Sequence, residues 1–192
     1  MKKEYYRVFS KLYERAAQEM AKDCQGFIKK GSKILDLGCG SAIAAKAFQD
    51  VFQAKIIGVD IIDRRIFPIP FKLIDGVFLP FPEKSFDTVL ISYVLHHSQD
   101  PIALLKEAKK VVIDKILIYE DIPEGIFSDF ICQLHGFVFN KFFQNSEDDF
   151  NFKTENEWKK IFENLGLNII FKKKVSFFPK KILFVLKSST GT

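Results

Sequence analysis

The sequence predicts an α/β protein built on a doubly wound, mostly parallel sheet with helices on both faces. Residues 33–42 (KILDLGCGSA) form an apolar run that ends in a glycine turn and continues into small residues typical of a helix start. A second apolar run ends in an acid, Asp60, about 20 residues further on. Residues 88–91 are continuously apolar, as expected for a strand that is buried on both faces. Short buried strands that alternate with helices are typical of a parallel sheet.

The composition is that of one globular domain over residues 1–192. Hydrophobic residues make up 47% of the chain and charged residues 28%, an ordinary balance for a globular protein. At 192 residues, the chain is long enough to bury a substantial core. The net charge is +5, but the lysines are scattered among acids and no aromatic and basic RNA-binding signature appears. We therefore expect no nucleic-acid partner.

The three cysteines, Cys24, Cys39 and Cys132, have no paired spacing. This pattern favours a reducing compartment over a disulfide framework or a metal site. No apolar run reaches the roughly 18 residues of a membrane span, and the N-terminus lacks the apolar segment of a signal peptide. We expect a cytoplasmic protein without a metal or a membrane span, for which peripheral membrane contact stays open.

The glycine turn suits a ligand that approaches the backbone closely. Gly38 and Gly40 allow positive φ values and leave space where a Cβ would collide. The helix N-terminus that follows favours an anionic group. A dinucleotide fingerprint, G-x-G-x-x-G, would need its third glycine at Ile43, so that pattern fails. Asp36, which lies two residues before Gly38, indicates a different ligand.

The motif ILDLGCG resembles the first motif of the class I S-adenosylmethionine-dependent methyltransferases, D/E-x-G-x-G-x-G, with Ala42 in place of the last glycine. Residues 71–97 look like the D-x-x-x-L-P-F…S-F-D-x-V stretch of the small-molecule methyltransferases related to the ubiquinone and menaquinone biosynthesis enzymes. The matching residues are Asp75, Leu79, Pro80, Phe81, Ser85, Phe86, Asp87 and Val89. The resemblance implies a Rossmann-like sheet of seven strands, closed by a C-terminal antiparallel hairpin.

The same resemblance implies S-adenosylmethionine as the cofactor and S-adenosylhomocysteine as its product. Gly38 and Gly40 would hold the methionine end, Asp60 the ribose, and Asp75 the adenine. Asp36 would support the turn or the methionine amine. The full set of expected cofactor-binding residues is Asp36, Gly38, Cys39, Gly40, Asp60, Ile61, Asp75, Gly76, Val77, Ser92 and Tyr93.

Polar residues after the fourth and fifth strands are the candidates for acceptor chemistry, because ligands bind beyond the carboxyl ends of parallel strands. A base is needed only if the acceptor must lose a proton. The candidates, in order, are His97, Tyr93, Glu120 and His135. His96, beside His97, is expected to be structural, and no ligand set for a metal accompanies the pair.

The remaining elements complete the predicted domain. Residues 1–30 are a helical cover, with a helix over 4–28 whose Tyr5, Tyr6 and Tyr13 are candidates for ligand contact. Residues 31–122 are the cofactor-binding core. In it a helix spans 41–48, a loop with Pro68 and Pro70 replaces the usual helix between the second and third strands, and a helix spans 101–111. The fifth strand is expected over 115–119, with Glu120 and Asp121 beyond its end.

The C-terminal third divides into a cover and a closing unit. Residues 123–153 are an insertion rich in phenylalanine that suits an apolar or aromatic substrate. Residues 154–187 begin with a capping box, Thr154 and Glu157, that opens a helix ending at Gly166. Strands over 168–175 and 182–186 then form a hairpin around Pro179.

Three functions stay open at this level. The leading one is methyl transfer to a small, apolar or aromatic acceptor by in-line displacement, by a monomer or homodimer. A non-catalytic S-adenosylmethionine-binding regulatory or assembly protein is the alternative, because Ala42 and the short second crossover depart from the family pattern. An NAD(P)-dependent oxidoreductase is disfavoured, since the third glycine and a Tyr-x-x-x-Lys pair are both missing.

Overall fold

Seven strands and four α-helices form the described part of the chain, which in this computed structural model is residues 10–123, 151–177 and 180–189. The strands are β1 (Lys33–Leu37), β2 (Lys55–Asp60), β3 (Phe71–Leu73), β4 (Phe86–Ser92), β5 (Val112–Ile122), β6 (Leu167–Phe177) and β7 (Lys180–Ser188). The helices are α1 (Ser10–Asp23), α2 (Ile43–Phe52), α3 (Pro101–Val111) and α4 (Glu155–Asn164), with a 3₁₀ turn at Leu95–His97.

The strands form one sheet in the order β3-β2-β1-β4-β5-β7-β6. β1 lies inside the sheet and pairs in parallel with β2 and β4, so that Leu35 faces Ile57 on one side and Val89 on the other. β7 runs antiparallel between β5 and β6. The predicted fold class, a doubly wound and mostly parallel seven-stranded sheet with a C-terminal hairpin, is therefore confirmed.

Alternate residues along the central strands supply two separate cores, as the pleat of a strand requires. On one face, Leu35 and Leu37 pack with α3 and α4; we call this the α3/α4 core. Trp158 and Phe162 of α4 are fully buried in it. On the other face, Ile34 packs with α1 and α2, which we call the α1/α2 core. Helices on both faces of the sheet follow from this division.

The N-terminal helix α1 packs into the α1/α2 core through Ala21 and is also linked to β5 by Tyr119. The Tyr119 hydroxyl donates a hydrogen bond to the Met20 carbonyl (2.8 Å) and lies 3.2 Å from the Cys24 sulfur. Burial raises the pKa of the Cys24 thiol to about 12. Of the tyrosines proposed for ligand contact, Tyr13 is 39% exposed, whereas Tyr5 and Tyr6 lie outside the described residues.

The prediction for the fifth strand was wrong at both ends. Helix α3 passes directly into β5, since Val112 ends the helix and starts the strand. At the other end, antiparallel pairing with β7 continues through Glu120 and Asp121, which face Ile182 and Lys181. The two acids therefore lie within β5 rather than beyond it.

The other boundaries differ by smaller amounts. Helix α2 begins at Ile43 rather than Ser41, because Ala42 has a left-handed backbone (φ 63°) that interrupts the helical path. The segment between β2 and β3 contains no helix, as Pro68 and Pro70 predict. The capping box is present, with the Thr154 N–H donating to Glu157 Oε2 at 2.7 Å. Most of the predicted cover (124–150) and Pro179 lie outside the described residues.

Candidate functional site

The glycine turn after β1 is tied to β2 by backbone hydrogen bonds. The N–H groups of Gly38 and Cys39 both donate to the Val59 carbonyl, at 2.8 and 3.0 Å. Gly40 N–H donates to Oδ2 of Asp60 (2.8 Å). Gly38 (φ 74°) and Gly40 (φ 50°) both use the conformational region that favours glycine. The turn is therefore held in one shape by the strand that carries the ribose-binding candidate.

Two glycines of this region are required by close packing. A Cβ at Gly38 would lie 2.4 Å from Cγ2 of Val94, which follows β4. A Cβ at Gly58 in β2 would lie 2.7 Å from the Cys39 sulfur. Gly58 was not among the expected site residues, although a glycine inside a strand is a signal of close approach. Cys39 is thus a small packed residue under the turn, and burial raises the pKa of its thiol.

Asp36 is the most unusual residue beneath the turn. It is fully buried, and neither of its carboxylate oxygens has a hydrogen-bond partner among the described residues. Burial raises the pKa of this carboxyl to about 7, and the nearby charge of Asp60 adds to the effect. A buried polar group without a partner is costly, so the site is arranged for a ligand group that supplies one.

Asp60 closes the far side of the turn. Its Oδ1 accepts a hydrogen bond from Ile61 N–H (2.7 Å), while Oδ2 accepts from Gly40. Oδ1 also receives a longer contact from Ile62 N–H (3.4 Å). Oδ2 has a second acceptor position, so it can still receive a hydroxyl of a diol. Ile61 is 49% exposed next to this carboxylate.

Asp75 organises a turn after β3. Its Oδ1 accepts hydrogen bonds from the N–H groups of Val77 (3.0 Å) and Phe78 (2.9 Å). These two bonds lower the pKa of the Asp75 carboxyl. Gly76 has a φ of 107°, a value that L side chains rarely adopt. Asp75 and Phe78 line a hollow of about 330 Å³ at this edge of the sheet.

Tyr93, the first residue after β4, has a left-handed backbone with a φ of 58°. Its N–H donates to the Tyr119 carbonyl (2.8 Å), and the Lys181 ammonium lies 4.4 Å from its ring centre. Burial raises the pKa of the Tyr93 phenol, with smaller effects from Asp121 and Glu120. Strained backbone of this kind is concentrated at functional sites. Ser92, at the end of β4, is half-buried beside it.

Glu120 and His96 form a buried pair on the α3/α4 side of the sheet. His96 Nδ1 lies 2.5 Å from Glu120 Oε2, and Leu95 N–H donates to Oε1 at 2.9 Å. A contact of this length requires one proton between the two atoms, because two bare acceptors would repel each other. Both carboxylate oxygens of Glu120 thus fix the 3₁₀ turn that follows β4.

The returning end of the predicted cover reaches the same turn. Asn151 N–H donates to the His96 carbonyl (2.9 Å), and the Phe152 ring is stacked on the His96 ring at 4.7 Å. His97 is half-buried, and its ring centre lies 4.1 Å from that of His96. His135, the remaining candidate, lies outside the described residues.

The structure therefore brings the expected residues together in two groups that meet at Gly38 and Val94. The first group, around the glycine turn, contains Asp36, Cys39, Gly40 and Asp60, and the second contains Ser92, Tyr93 and His97. Asp75 lies further along the same edge. Another hollow, of about 700 Å³, lies at the opposite end of the sheet between lysines such as Lys29 and Lys115, away from the carboxyl ends of the strands.

Within the described ranges, no cluster of three or more His, Cys, Asp or Glu side chains is placed to bind a metal ion. None of the helices in those ranges combines the length and the apolar character that crossing a membrane requires.

A sheet of this order, with a glycine turn after β1 and acids at the ends of β2 and β3, defines the Rossmann-like class I methyltransferases. Residues 1–171 match the family described as methyltransferase domain, and the chain belongs to that family. Its cofactor class is S-adenosylmethionine. The resemblance drawn from ILDLGCG and residues 71–97 is confirmed.

Two curated relatives each match less than half of the chain. An uncharacterized methyltransferase of Schizosaccharomyces pombe is 34% identical over 104 residues, which are 44% of this chain and 37% of the relative. A demethylmenaquinone methyltransferase of Streptomyces griseus is 33% identical over 89 residues, 43% of this chain and 39% of the relative. The chain thus spans well under half the length of these two relatives.

Among solved structures, the PH0226 protein from Pyrococcus horikoshii OT3 has the same fold. It superposes with a TM-score of 0.73 at 20% identity, covering 97% of this chain and 99% of the other.

Proposed function

We propose that this chain is an enzyme that transfers the methyl group of S-adenosylmethionine to a small acceptor of apolar or aromatic character. The observation that carries the proposal is the direct contact between the glycine turn and the end of β4, where Val94 fills the space that a Cβ at Gly38 would need. This contact places the cofactor-binding candidates next to Tyr93 and His97.

The residues around the turn fit this cofactor. Gly38 and Gly40 leave the backbone open to the methionine end, and the unpartnered Asp36 carboxylate offers a counter-charge. Asp60 retains an acceptor position for a ribose hydroxyl. When bound, S-adenosylmethionine supplies a methyl carbon that is already activated by its positive sulfur, so the protein's task is to orient the acceptor and exclude water.

Asp75, Gly76 and Val77 form the proposed adenine contact. The Asp75 turn uses Oδ1 for its internal hydrogen bonds, and one carboxylate oxygen remains outside those bonds. Ile61 and Leu73 are exposed on either side of this edge (49% and 62%), and apolar side chains of this kind suit a flat ring.

On the acceptor side, the pairing of each candidate suggests its role. Both carboxylate oxygens of Glu120 are engaged in hydrogen bonds with Leu95 and His96, so we assign Glu120 to positioning the turn rather than to proton transfer. Tyr93 stays protonated at neutral pH because its pKa is raised, so it would donate a hydrogen bond to an acceptor oxygen or nitrogen. His97 is the candidate base, and His135 remains a further one.

The acceptor class is supported by the rings that surround the end of β4. The rings of Tyr93 and Tyr119 lie 6.3 Å apart, and Phe152 stacks on His96. Tyr119 and His96 are buried, so Tyr93 and Phe152, which are half-buried, are the rings on which an aromatic acceptor can pack.

The cofactor assignment is tested by calorimetric titration with S-adenosylmethionine, S-adenosylhomocysteine and NADH. We expect both methionine derivatives to bind and NADH not to bind. Asp60→Ala should abolish binding, whereas Asp50→Ala, which removes an exposed acid paired with Lys46 on α2, should leave it unchanged. Binding of NADH alone would overturn the proposal.

The activity is tested by transfer of tritium from methyl-labelled S-adenosylmethionine to a panel of small phenols, quinols and amines. Transfer to an aromatic member, lost in His97→Ala, is the expected result. Tight cofactor binding without transfer to any class in the panel would favour a non-catalytic binding protein.

A further inference from the structure

Asp36 is buried in the α1/α2 core, where none of the described residues neutralises its charge. It alternates with Leu35 and Leu37 along β1, so its side chain lies on the opposite face from theirs, the same face as Ile34. Its neighbours across the sheet are Gly58, which has no side chain, and Leu90, which is apolar. Neither strand gives the carboxylate a donor.

The titratable groups around Asp36 come from β2 and from the turn. Asp60 faces it from the end of β2, and the two charges repel each other. Cys39 faces it from the turn as a thiol whose pKa is raised. On this face α2 contributes only apolar side chains to the core, namely Ala45, Phe48 and Phe52, with Ala44 and Val51 packed against them.

The cation that lies near Cys39 is already engaged. Arg65, in the segment after β2, forms an ion pair with Asp63 at 2.8 Å, and its ring contact is with Phe71 at 4.4 Å. It also donates to the Ile69 carbonyl. Among the described residues, therefore, no cation pairs with Asp36, and a cationic ligand would supply the missing charge.

We propose that cofactor binding at this turn is coupled to the release of one proton from Asp36. The inference rests on the proposed cofactor, which carries two cations, an α-ammonium and a sulfonium. In the free protein the carboxyl holds its proton. When the cationic ligand enters, the O–H bond of the carboxyl breaks, the proton passes to the buffer, and the carboxylate forms an ion pair with the ligand.

The coupling has a defined sign. A raised pKa means that the free protein holds the proton through the range below about pH 7. A bound cation stabilises the carboxylate and lowers that pKa. Affinity therefore rises with pH, by up to about tenfold per pH unit for one proton, and levels off above the pKa of the free protein.

The test is calorimetry of S-adenosylmethionine binding to the full chain in phosphate and in Tris, two buffers with different ionisation enthalpies. At pH 6.5 the observed enthalpy should differ between the buffers by an amount that corresponds to release of most of one proton. Between about pH 5.5 and 6.5 the dissociation constant should fall about tenfold.

Asp36→Asn is the matched variant, since it keeps the shape of the side chain and removes the titration. It should bind more weakly at pH 8, with affinity that no longer rises from pH 5.5 to 7. The ligand's own α-amino group titrates near pH 8 in peptides, and because that titration persists in the variant, the difference between the two proteins isolates Asp36. Repeating the series with S-adenosylhomocysteine, which keeps the ammonium and lacks the sulfonium, identifies the paired cation.

Two results overturn the inference while leaving the cofactor assignment intact. One is tight binding with no dependence on pH or buffer. The other is a slope that Asp36→Asn retains, which would place the proton on another group. Absence of binding at every pH would instead refute the proposed cofactor.

Discussion

Asp36 in β1 and Glu120 in β5 are both fully buried carboxylates. They lie on opposite faces of the sheet and differ in their hydrogen bonding. Glu120 is hydrogen-bonded to Leu95 and His96, so each of its oxygens is satisfied within the protein. Asp36 has no partner for either oxygen among the described residues. The α3/α4 side is therefore a support whose buried carboxylate is paired within the protein, whereas at the turn on the α1/α2 side we propose that a ligand supplies the missing partner.

Removal of the paired carboxylate should have the largest effect on stability. Glu120→Ala leaves Leu95 N–H and His96 Nδ1 buried without a partner, and we expect a loss of about 3–5 kcal/mol of unfolding free energy. Urea unfolding followed by circular dichroism measures it. Glu163→Ala is the control, because Glu163 is 60% exposed in a 4.0 Å pair with Lys159 and should cost under about 0.5 kcal/mol. A loss below about 1 kcal/mol in Glu120→Ala would show that the pair is not a support.

The contact between the two sides is the next most sensitive point. Gly38→Ala adds a Cβ 2.4 Å from Val94 Cγ2 at a residue with φ 74°, and we expect a loss of about 3 kcal/mol from overpacking and backbone strain. Val94→Ala in the same chain should recover the overpacking part, about half of the loss. If the double variant is no more stable than Gly38→Ala, the backbone strain alone explains the effect. Urea unfolding of the three proteins decides this.

The unpaired carboxylate gives an effect that depends on pH. With its folded pKa raised to about 7, Asp36 binds its proton more tightly in the folded chain than in the unfolded chain, so its contribution to stability falls as pH rises from about 4 to 7. The advantage of Asp36→Asn over the ligand-free parent should therefore grow by about 2–3 kcal/mol between pH 5 and pH 8. Thermal and urea unfolding at the two pH values measure the difference. An advantage that does not grow between the two pH values would contradict the description of Asp36 as unpaired.

The smallest expected effect concerns Ala42, where the backbone of the turn is left-handed at a residue other than glycine. Ala42→Gly should stabilise the chain by about 1 kcal/mol, because glycine adopts a φ of 63° without steric cost. The same substitution inside α2, Ala44→Gly, should destabilise it by about 1 kcal/mol. Equal effects at the two positions would mean that the turn is not strained.

The sequence predicts the order and type of the main helices and strands better than the contacts between them. The buried runs that became β1, β2 and β4, the glycine turn and the Thr154 capping box are all local patterns, and each was read correctly. The predicted extent of β5 is wrong, because its last residues pair with β7, which lies more than 55 residues later in the chain. Long-range pairing of this kind leaves no trace in local periodicity.

The candidate site divides in the same way. A resemblance confined to motifs could mark Asp36 and Asp60 as site residues, but it could not show that one is unpartnered and the other engaged with Gly40. His96 and His97 are adjacent in sequence, and only the position of Glu120 on β5 distinguishes them. Gly58 is absent from the predicted site residues, because the need for a glycine there comes from a contact with Cys39, which lies in the turn after the neighbouring strand β1.

Trp158, the only tryptophan of the chain, lies in the α3/α4 core, where its ring is stacked on Phe162 at 5.8 Å. Its fluorescence therefore reports the opposite layer from the one that contains Asp36, and cofactor binding should leave that emission nearly constant. During unfolding, the tryptophan emission reports the α3/α4 core. The tyrosine signal, to which Tyr119 contributes, reports the α1/α2 core. Coincidence of the two optical transitions would mean that the sheet transmits the loss of either layer to the whole molecule.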